Sequence, residues 1–316
     1  MTPIAEPVAR DRLAAELTAG TYVTRFKDLE VHLFEGREAP SVLDEIGRIR
    51  ETEYRHVGAG RNVARDLDRF DTEHPAYRQI VSYDRAEGEI VAMYRAIHCG
   101  WALESAGPSA LRTTSLFAFS ARFQAEELPF LVELGRSVVN RNARRAVQGL
   151  FSVWSGLGAL MREWSDISGF FGNVSVYRDT HDQHLDTLLG YLDRYHGDRG
   201  ARVRAKRGNE YLSRSEPTGE HRKQNIPDSL SGLVERASAE GWTLPPILIS
   251  YLKAAPGLVA FETAVDPDFG NAREIAIMVP VDAITARTRK RIIDPYVSVN
   301  PERFRLASAA RGQSYG

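Results

Sequence analysis

Residues 128–164 read LPFLVELGRSVVNRNARRAVQGLFSVWSGLGALMREW, and the fold turns on this stretch. LPFLVELGRSVVN is a nearly continuous apolar run, the pattern of a strand in the middle of a sheet covered on both faces. RRAVQGLFSVWSGLGALMREW then takes helical spacing, with Leu150, Val153, Trp154, Leu157 and Leu160 on the inward side. Between them lies a polar turn, NRNARR.

The same two periods recur outward along the chain. Residues 10–18 suit a short helix, and residues 20–34 alternate as strand. From Ala39 to about His56 the spacing is helical, with Val42, Leu43, Ile46, Ile49 and Tyr54 at the buried positions. An irregular acidic segment follows, then two β-rich runs, YRQIVSYD and IVAMYRAIH, around a Glu-Gly turn, which make a hairpin. Residues 100–128 read as irregular. Downstream, GFFGNVSVY is a strand, and residues 181–195 are a helix with Leu185, Leu188, Leu189 and Leu192 as its stripe. Residues 197–226 read as a loop or linker. After it come a helix over 228–240, an apolar run with two prolines, two strand candidates (LVAFETAV and REIAIMVP) and a basic tail. The expectation is an α/β fold: a core over 1–196 and a C-terminal extension over 227–316 packed on it.

Bulk composition narrows the function classes. The 316 residues include 41 Lys plus Arg and 42 Asp plus Glu, a net charge of -1. That balance gives no field to gather nucleic acid. With one cysteine, Cys99, no internal disulfide forms, which fits a reducing cytoplasm. No apolar run is long enough to span a membrane, and the start lacks the apolar core of a signal peptide. Cys99 has no evident histidine partner and reads as a packing residue rather than a nucleophile.

Three features carry chemistry. Arg141, Arg144 and Arg145 sit in the turn that opens a helix, where free amides attract anions; they hold a phosphate or form a solvated basic turn. Asp66, Asp68 and Asp71 are interleaved with Arg65 and Arg69, so a salt-bridged loop fits better than a metal site. Glu133 lies inside an apolar run, where a carboxylate is costly unless paired. Arg136 is three residues on and in a regular strand points to the other face, so Arg95 is the expected partner. Such a carboxylate serves as a general base or as half of a structural ion pair.

EIGRIRETEYRHVGAG, DLDRFDTEH, GEIVAMYRAI, ELGRSVV and FSVWSGLGAL, in this order, resemble the hemolysin-like GNAT acyltransferases. That group includes the ornithine-lipid and glycine-lipid N-acyltransferases and is related to acyl-homoserine lactone and N-acyl amino acid synthases. The resemblance covers roughly residues 40–196, and GWTLPPILISYLKAAPGLVAFETAVDPDFGNAREIAIMV resembles the extension of the lipid-forming type.

The resemblance implies a GNAT-like mixed, twisted central sheet flanked by helices. It also implies transfer of a fatty or 3-hydroxy fatty acyl group from an acyl carrier protein or CoA thioester to the amine of an amino acid such as ornithine, lysine or glycine. Glu133, Arg95, Asp68, Asp71 and Arg136 become the catalytic group. Val132, Leu134, Val138 and Val139 offer backbone to a phosphopantetheine arm, and Arg141, Arg144 and Arg145 meet its phosphate. Arg50, Arg55 and Arg95 are candidates for the acceptor carboxylate, and Phe117, Phe170 and Phe171 for an acyl tunnel. NRNARRAVQG lacks the usual glycine-rich pyrophosphate loop, which favours a carrier-protein donor over free CoA. The implied setting is cytoplasmic, with peripheral contact at the inner membrane face. Two alternatives are a non-catalytic module that binds an acyl carrier or thioester, and a lactone-forming synthase.

Overall fold

In the computed structural model, residues 1–212 and 226–306 are described. The rest of the expected linker, 213–225, and the end of the basic tail, 307–316, lie outside them. The chain divides into two compact units: Met1–Arg112 with Leu128–Ile167 and Ala286–Gly316, and Thr113–Glu127 with Ser168–Thr285.

The first unit begins with α1 (Arg10–Glu16) and the strands β1 (Tyr22–Phe26) and β2 (Leu29–Glu35). α2 (Pro40–His56) starts on a proline at its first position, where no amide hydrogen bond is lost. All five residues expected to form its stripe are buried. α3 (Arg69–Thr72) is a single turn closed by a capping box, in which Asp68 accepts from the Phe70 amide and Asp71 accepts from the Asp68 amide. β3 (Arg78–Asp84) and β4 (Glu89–His98) form the expected hairpin.

α4 (Cys99–Ala106) departs from the expectation of irregular chain. CGWALESA is too short and too rich in small residues to show a stripe, but His98 caps it by accepting the Trp101 amide. β6 (Leu131–Val139) and α6 (Ala146–Glu163) are the strand and helix of the opening stretch. Val153, Trp154, Leu157 and Leu160 are buried, and Leu150 is half-buried. Part of the basic tail forms a short helix, Ala286–Ile292.

Within this unit the strands run antiparallel in the order β1-β2-β3-β4-β6. Alternation along them puts Ile80 and Ala92 under α6, while Gln79 and Arg95, paired in register, face α2. α6 packs closely because of its small residues. A Cβ on Gly158 would lie 2.2 Å from the carbonyl oxygen of Ile292, so only glycine fits there.

The second unit opens with β5 (Phe117–Phe119) and α5 (Ala121–Glu126), two more elements in the stretch expected to be irregular. β7 (Gly169–Val176), β10 (Ala272–Pro280) and β9 (Val259–Asp266) pair antiparallel in that order. α7 (Asp182–His196) buries Leu185, Leu188 and Leu192, with Leu189 half-buried. β8 (Val203–Ala205) falls in the stretch read as loop and pairs with β5. Helices follow at Leu230–Ala239 and Pro246–Ala254. Among the described residues no helix is long and apolar enough to cross a membrane.

Candidate active site

β6 carries an extra residue. Val138 lies opposite Met93 and Gly135 opposite Arg95, so three steps on β6 match two on β4. Arg136 absorbs the insertion with φ of 54°, a left-handed conformation that costs a non-glycine residue about 1–3 kcal/mol and recurs at functional sites. A bulge of this kind leaves a residue out of the ladder and resets which side chains share a face. Glu133 and Arg136 are therefore not opposed, as regular strand spacing implies. The guanidinium of Arg136 reaches the same acidic loop that Arg95 meets.

That loop is consumed by arginines. Arg95 Nη1 lies 2.7 Å from Asp68 Oδ1 and 3.2 Å from Asp71 Oδ2. Arg50 donates to Asp71 at 3.0 Å and to Gln79 at 2.8 Å, and Gln79 donates to Asp71 at 3.0 Å. Arg136 Nε is 2.9 Å from Asp66, and its Nη2 is 3.6 Å from Asp68. Arg50, Arg95, Asp66, Asp71 and Gln79 are all buried.

Burial by itself raises the Asp71 carboxyl, but Arg50 and Arg95 outweigh it and hold the group well below the usual range. Asp68 is likewise lowered: Arg95 and Arg136 overcome burial and the repulsion of Asp71. Arg95 is pushed higher still, since Asp71 and Asp68 more than offset its own desolvation. Among the described residues no group of three or more His, Cys, Asp or Glu side chains is placed to hold a metal ion.

Glu133 is 1% exposed, and its Oε1 accepts from the hydroxyl of Tyr77 at 2.7 Å. Arg95, the expected partner, is engaged by Asp68 and Asp71 and instead stacks over the Tyr77 ring, 5.1 Å from its centre. Gly135 lies opposite it on β6, where a Cβ would be in ordinary contact with Arg95 Nε at 3.4 Å. The Tyr77 oxygen also accepts the Arg112 amide at 2.9 Å. Burial, and then the Glu133 carboxylate, push the Tyr77 hydroxyl well above its ordinary value, so it stays protonated and donates. Cys99 beside them is also raised, by burial first, as expected of a packing thiol.

Sequence reasoning missed Tyr77, which stands 56 residues from Glu133 and just before β3; its adjacency to Arg78 and Gln79 gives no periodic signal.

Other candidates lie elsewhere in the unit. Arg55 is held by Glu51 at 2.6 Å and by the Val63 carbonyl at 2.7 Å. Arg50 and Arg95 are buried in pairs with the aspartates of the acidic loop, so none of the three presents an open guanidinium to an acceptor carboxylate. Val132 and Leu134 alternate with Glu133, and Val138 and Val139 follow the bulge. In the turn before α6, each arginine meets a carboxylate. Arg141 is 3.5 Å from Glu53, Arg144 pairs with Glu87, and Arg145 pairs with Asp84. The pairs of Arg141 and Arg144, whose side chains are exposed, are worth little, whereas Asp84 is buried beneath Arg145.

Phe117, Phe170 and Phe171 belong to the second unit. All three are buried, and Phe171 joins Phe119, Phe123 and Phe261 in a cluster with ring centres 5.6–6.1 Å apart.

Comparison with known proteins bears on this geometry. Residues 49–154, which hold the second half of α2, the acidic loop, the hairpin, β6 and the first half of α6, match the family described as Acetyltransferase (GNAT) domain. The chain is 31% identical to a glycine N(alpha)-acyltransferase of Bacteroides thetaiotaomicron, over 99% of this chain and 96% of that protein. It is 30% identical to one of Phocaeicola vulgatus, over 98% of each. Among solved structures it is similar to the acyl-homoserine lactone synthase LasI, with a TM-score of 0.41 and 11% identity over 86% of this chain and 98% of that one. It is also similar to MesI, a CoA-dependent acyl-homoserine lactone synthase, with a TM-score of 0.36 and 15% identity over 85% of this chain and 97% of that one. On its nearly end-to-end relationship to the two N-acyltransferases, the chain belongs to the GNAT-type N-acyltransferase family and is an acyltransferase.

Proposed function

We propose that the protein joins a fatty acyl group, delivered as a thioester of an acyl carrier protein or CoA, to the α-amine of glycine. The observation that carries this reading is the alignment of 99% of the chain with a protein named for that reaction. Ornithine and lysine are acceptors of the same chemical type and remain the comparison substrates.

In this reading the amine attacks the thioester carbonyl directly. The C–N bond forms, the C–S bond breaks and the thiol leaves carrying a proton. Glu133 takes the proton from the attacking amine. At 1% exposure it does not meet bulk water, so the reading requires a proton relay; the Tyr77 hydroxyl, itself buried and donating to Glu133 at 2.7 Å, supports its innermost step. The bulge at Arg136 interrupts the regular β4–β6 register, and in this reading a strand amide of β6 stabilises the developing oxyanion. Arg50, Arg95, Asp68 and Asp71 are positioning residues: they hold Tyr77 and the bulged strand. Arg141 and Arg144 exchange their carboxylate partners for the donor's phosphate or for the acidic face of a carrier, with Arg145 beside them. The reaction belongs in the cytoplasm, with peripheral membrane contact for a long-chain product.

Incubation of the purified protein with palmitoyl carrier protein or palmitoyl-CoA and isotopically labelled glycine tests the reading. Mass spectrometry should find labelled N-palmitoylglycine and release of one thiol per product. Amide formed only with ornithine or lysine overturns the glycine assignment, and no amide with any acceptor overturns the transfer itself.

A further inference from the structure

We propose that the second unit contains a separate oxyanion site, which takes a ligand with one carboxylate or phosphate-monoester head and an organic tail. A cavity of about 890 Å³ opens where β7 ends and β10 begins. That volume falls within the roughly 300–1,000 Å³ of organic-ligand pockets.

Among the described residues, the one buried charged side chain in its wall is a cation. Arg273, the second residue of β10, lines the cavity and is 7% exposed. Its Nη groups donate to the carbonyls of Arg178 and Thr180, and its Nε has no hydrogen-bond partner. Among the described residues neither Arg273 nor Arg178, also in the wall, forms an ion pair. A guanidinium this buried without a counter-charge is costly, and an anionic ligand removes the cost.

The α7 N-terminus adds a second, independent attraction. Thr180, His181 and Asp182 border the cavity, and the helix starts at His181 without a side-chain cap. Its first amides and its dipole favour negative charge.

Two carboxylates limit what can bind. Asp182 and Glu210 are also in the wall, neither of them buried, and Glu210 accepts the Gly208 amide. They disfavour a polyanion and leave room for a single head group. Val265 and Leu212 give the tail an apolar surface.

Calorimetric binding to the full chain tests the site, with N-lauroylglycine as the carboxylate probe, 4′-phosphopantetheine as the phosphate-monoester probe and uncharged N-lauroylglycinamide as control. We expect one anionic probe to bind at roughly millimolar Kd or tighter, and the control about 10-fold more weakly, as loss of a charge-assisted hydrogen bond implies. Arg273→Met should weaken the anionic probe by about 10-fold or more. Arg178→Ala, at an exposed position, should weaken it about 3-fold or more and decides the matter if the first variant does not fold. Whichever probe shows this dependence identifies the head group. Binding of both probes that is unchanged by either substitution places them at another site and overturns the proposal, as does no binding at all. The readout needs no turnover, so a protein that fails to acylate glycine still tests it.

Discussion

Replacing Tyr77 by Phe removes one oxygen from a fully buried position and breaks two hydrogen bonds. Glu133 loses a donor at 2.7 Å, and the Arg112 amide loses an acceptor at 2.9 Å. A hydrogen bond to a charged group contributes about 1.5–3 kcal/mol and a neutral one about 1 kcal/mol, so the expected destabilisation is about 2–4 kcal/mol. For 316 residues at about 2.1 cal/mol/K each, one kcal/mol corresponds to about 1.5 °C, which places the fall in Tm at about 3–6 °C. The ring itself stays under Arg95, so the fold survives. Without the relay, kcat for N-acylglycine formation should drop about 10²–10⁴-fold, the usual contribution of a positioned acid–base group, while donor binding holds. Thermal unfolding followed by circular dichroism, and single-turnover transfer with quenched-flow sampling, measure the two effects. A Tm within 1 °C of wild type would refute the buried hydrogen bond, by the scale above. A variant that is destabilised but transfers at the wild-type rate refutes the relay while leaving the structural role intact.

Two further outcomes follow from the charge network and the donor turn. Asp68 and Asp71 titrate lower in the folded protein than in the unfolded chain, whose Asp value is about 3.9, so the unfolded state binds more protons around that pH. Their stabilisation is complete above about pH 5 and is lost as the pH falls through 4 and below. Denaturant midpoints measured from pH 7 to pH 3 should fall steeply in the wild type, and a flat profile contradicts the buried pairing. Arg144→Glu reverses charge at a largely exposed side chain, so Tm should stay within about 1–2 °C. KM for an acyl carrier donor should rise about 10-fold at low salt and the difference should shrink as salt is added; an unchanged KM removes this turn from the donor surface.

Much of the architecture was legible in the sequence because it rests on period. The stripe of α2, the β3–β4 hairpin, the strand-to-helix stretch 128–164 and the two late strands each repeat an apolar pattern, and burial follows it. α4 and α5 are too short to show a period and owe their start to the single caps His98 and Ser120.

The candidate site was legible only as a set of residue types. Glu133, Arg95, Asp68, Asp71 and Arg136 were each named from the sequence, and they gather around one strand. Their pairing was not readable, because one inserted residue at Arg136 leaves no trace in an apolar run yet reverses the facing of everything after it. Tyr77 joined the group through a contact across 56 residues, which no local pattern encodes. The arginines expected to hold the acceptor proved to be neutralised by partners distant in sequence or on their own helix: Arg50 and Arg95 by Asp71 and Asp68, and Arg55 by Glu51.

The most direct test of the account is transfer by Glu133→Gln, which keeps the shape of the side chain and an oxygen for Tyr77 while removing the base. With glycine and a saturating acyl thioester, single-turnover transfer should slow by about 10²–10⁴-fold while donor affinity stays at the wild-type value. A variant that forms N-acylglycine at the wild-type rate would contradict the central claim that the carboxylate on β6 accepts the amine's proton.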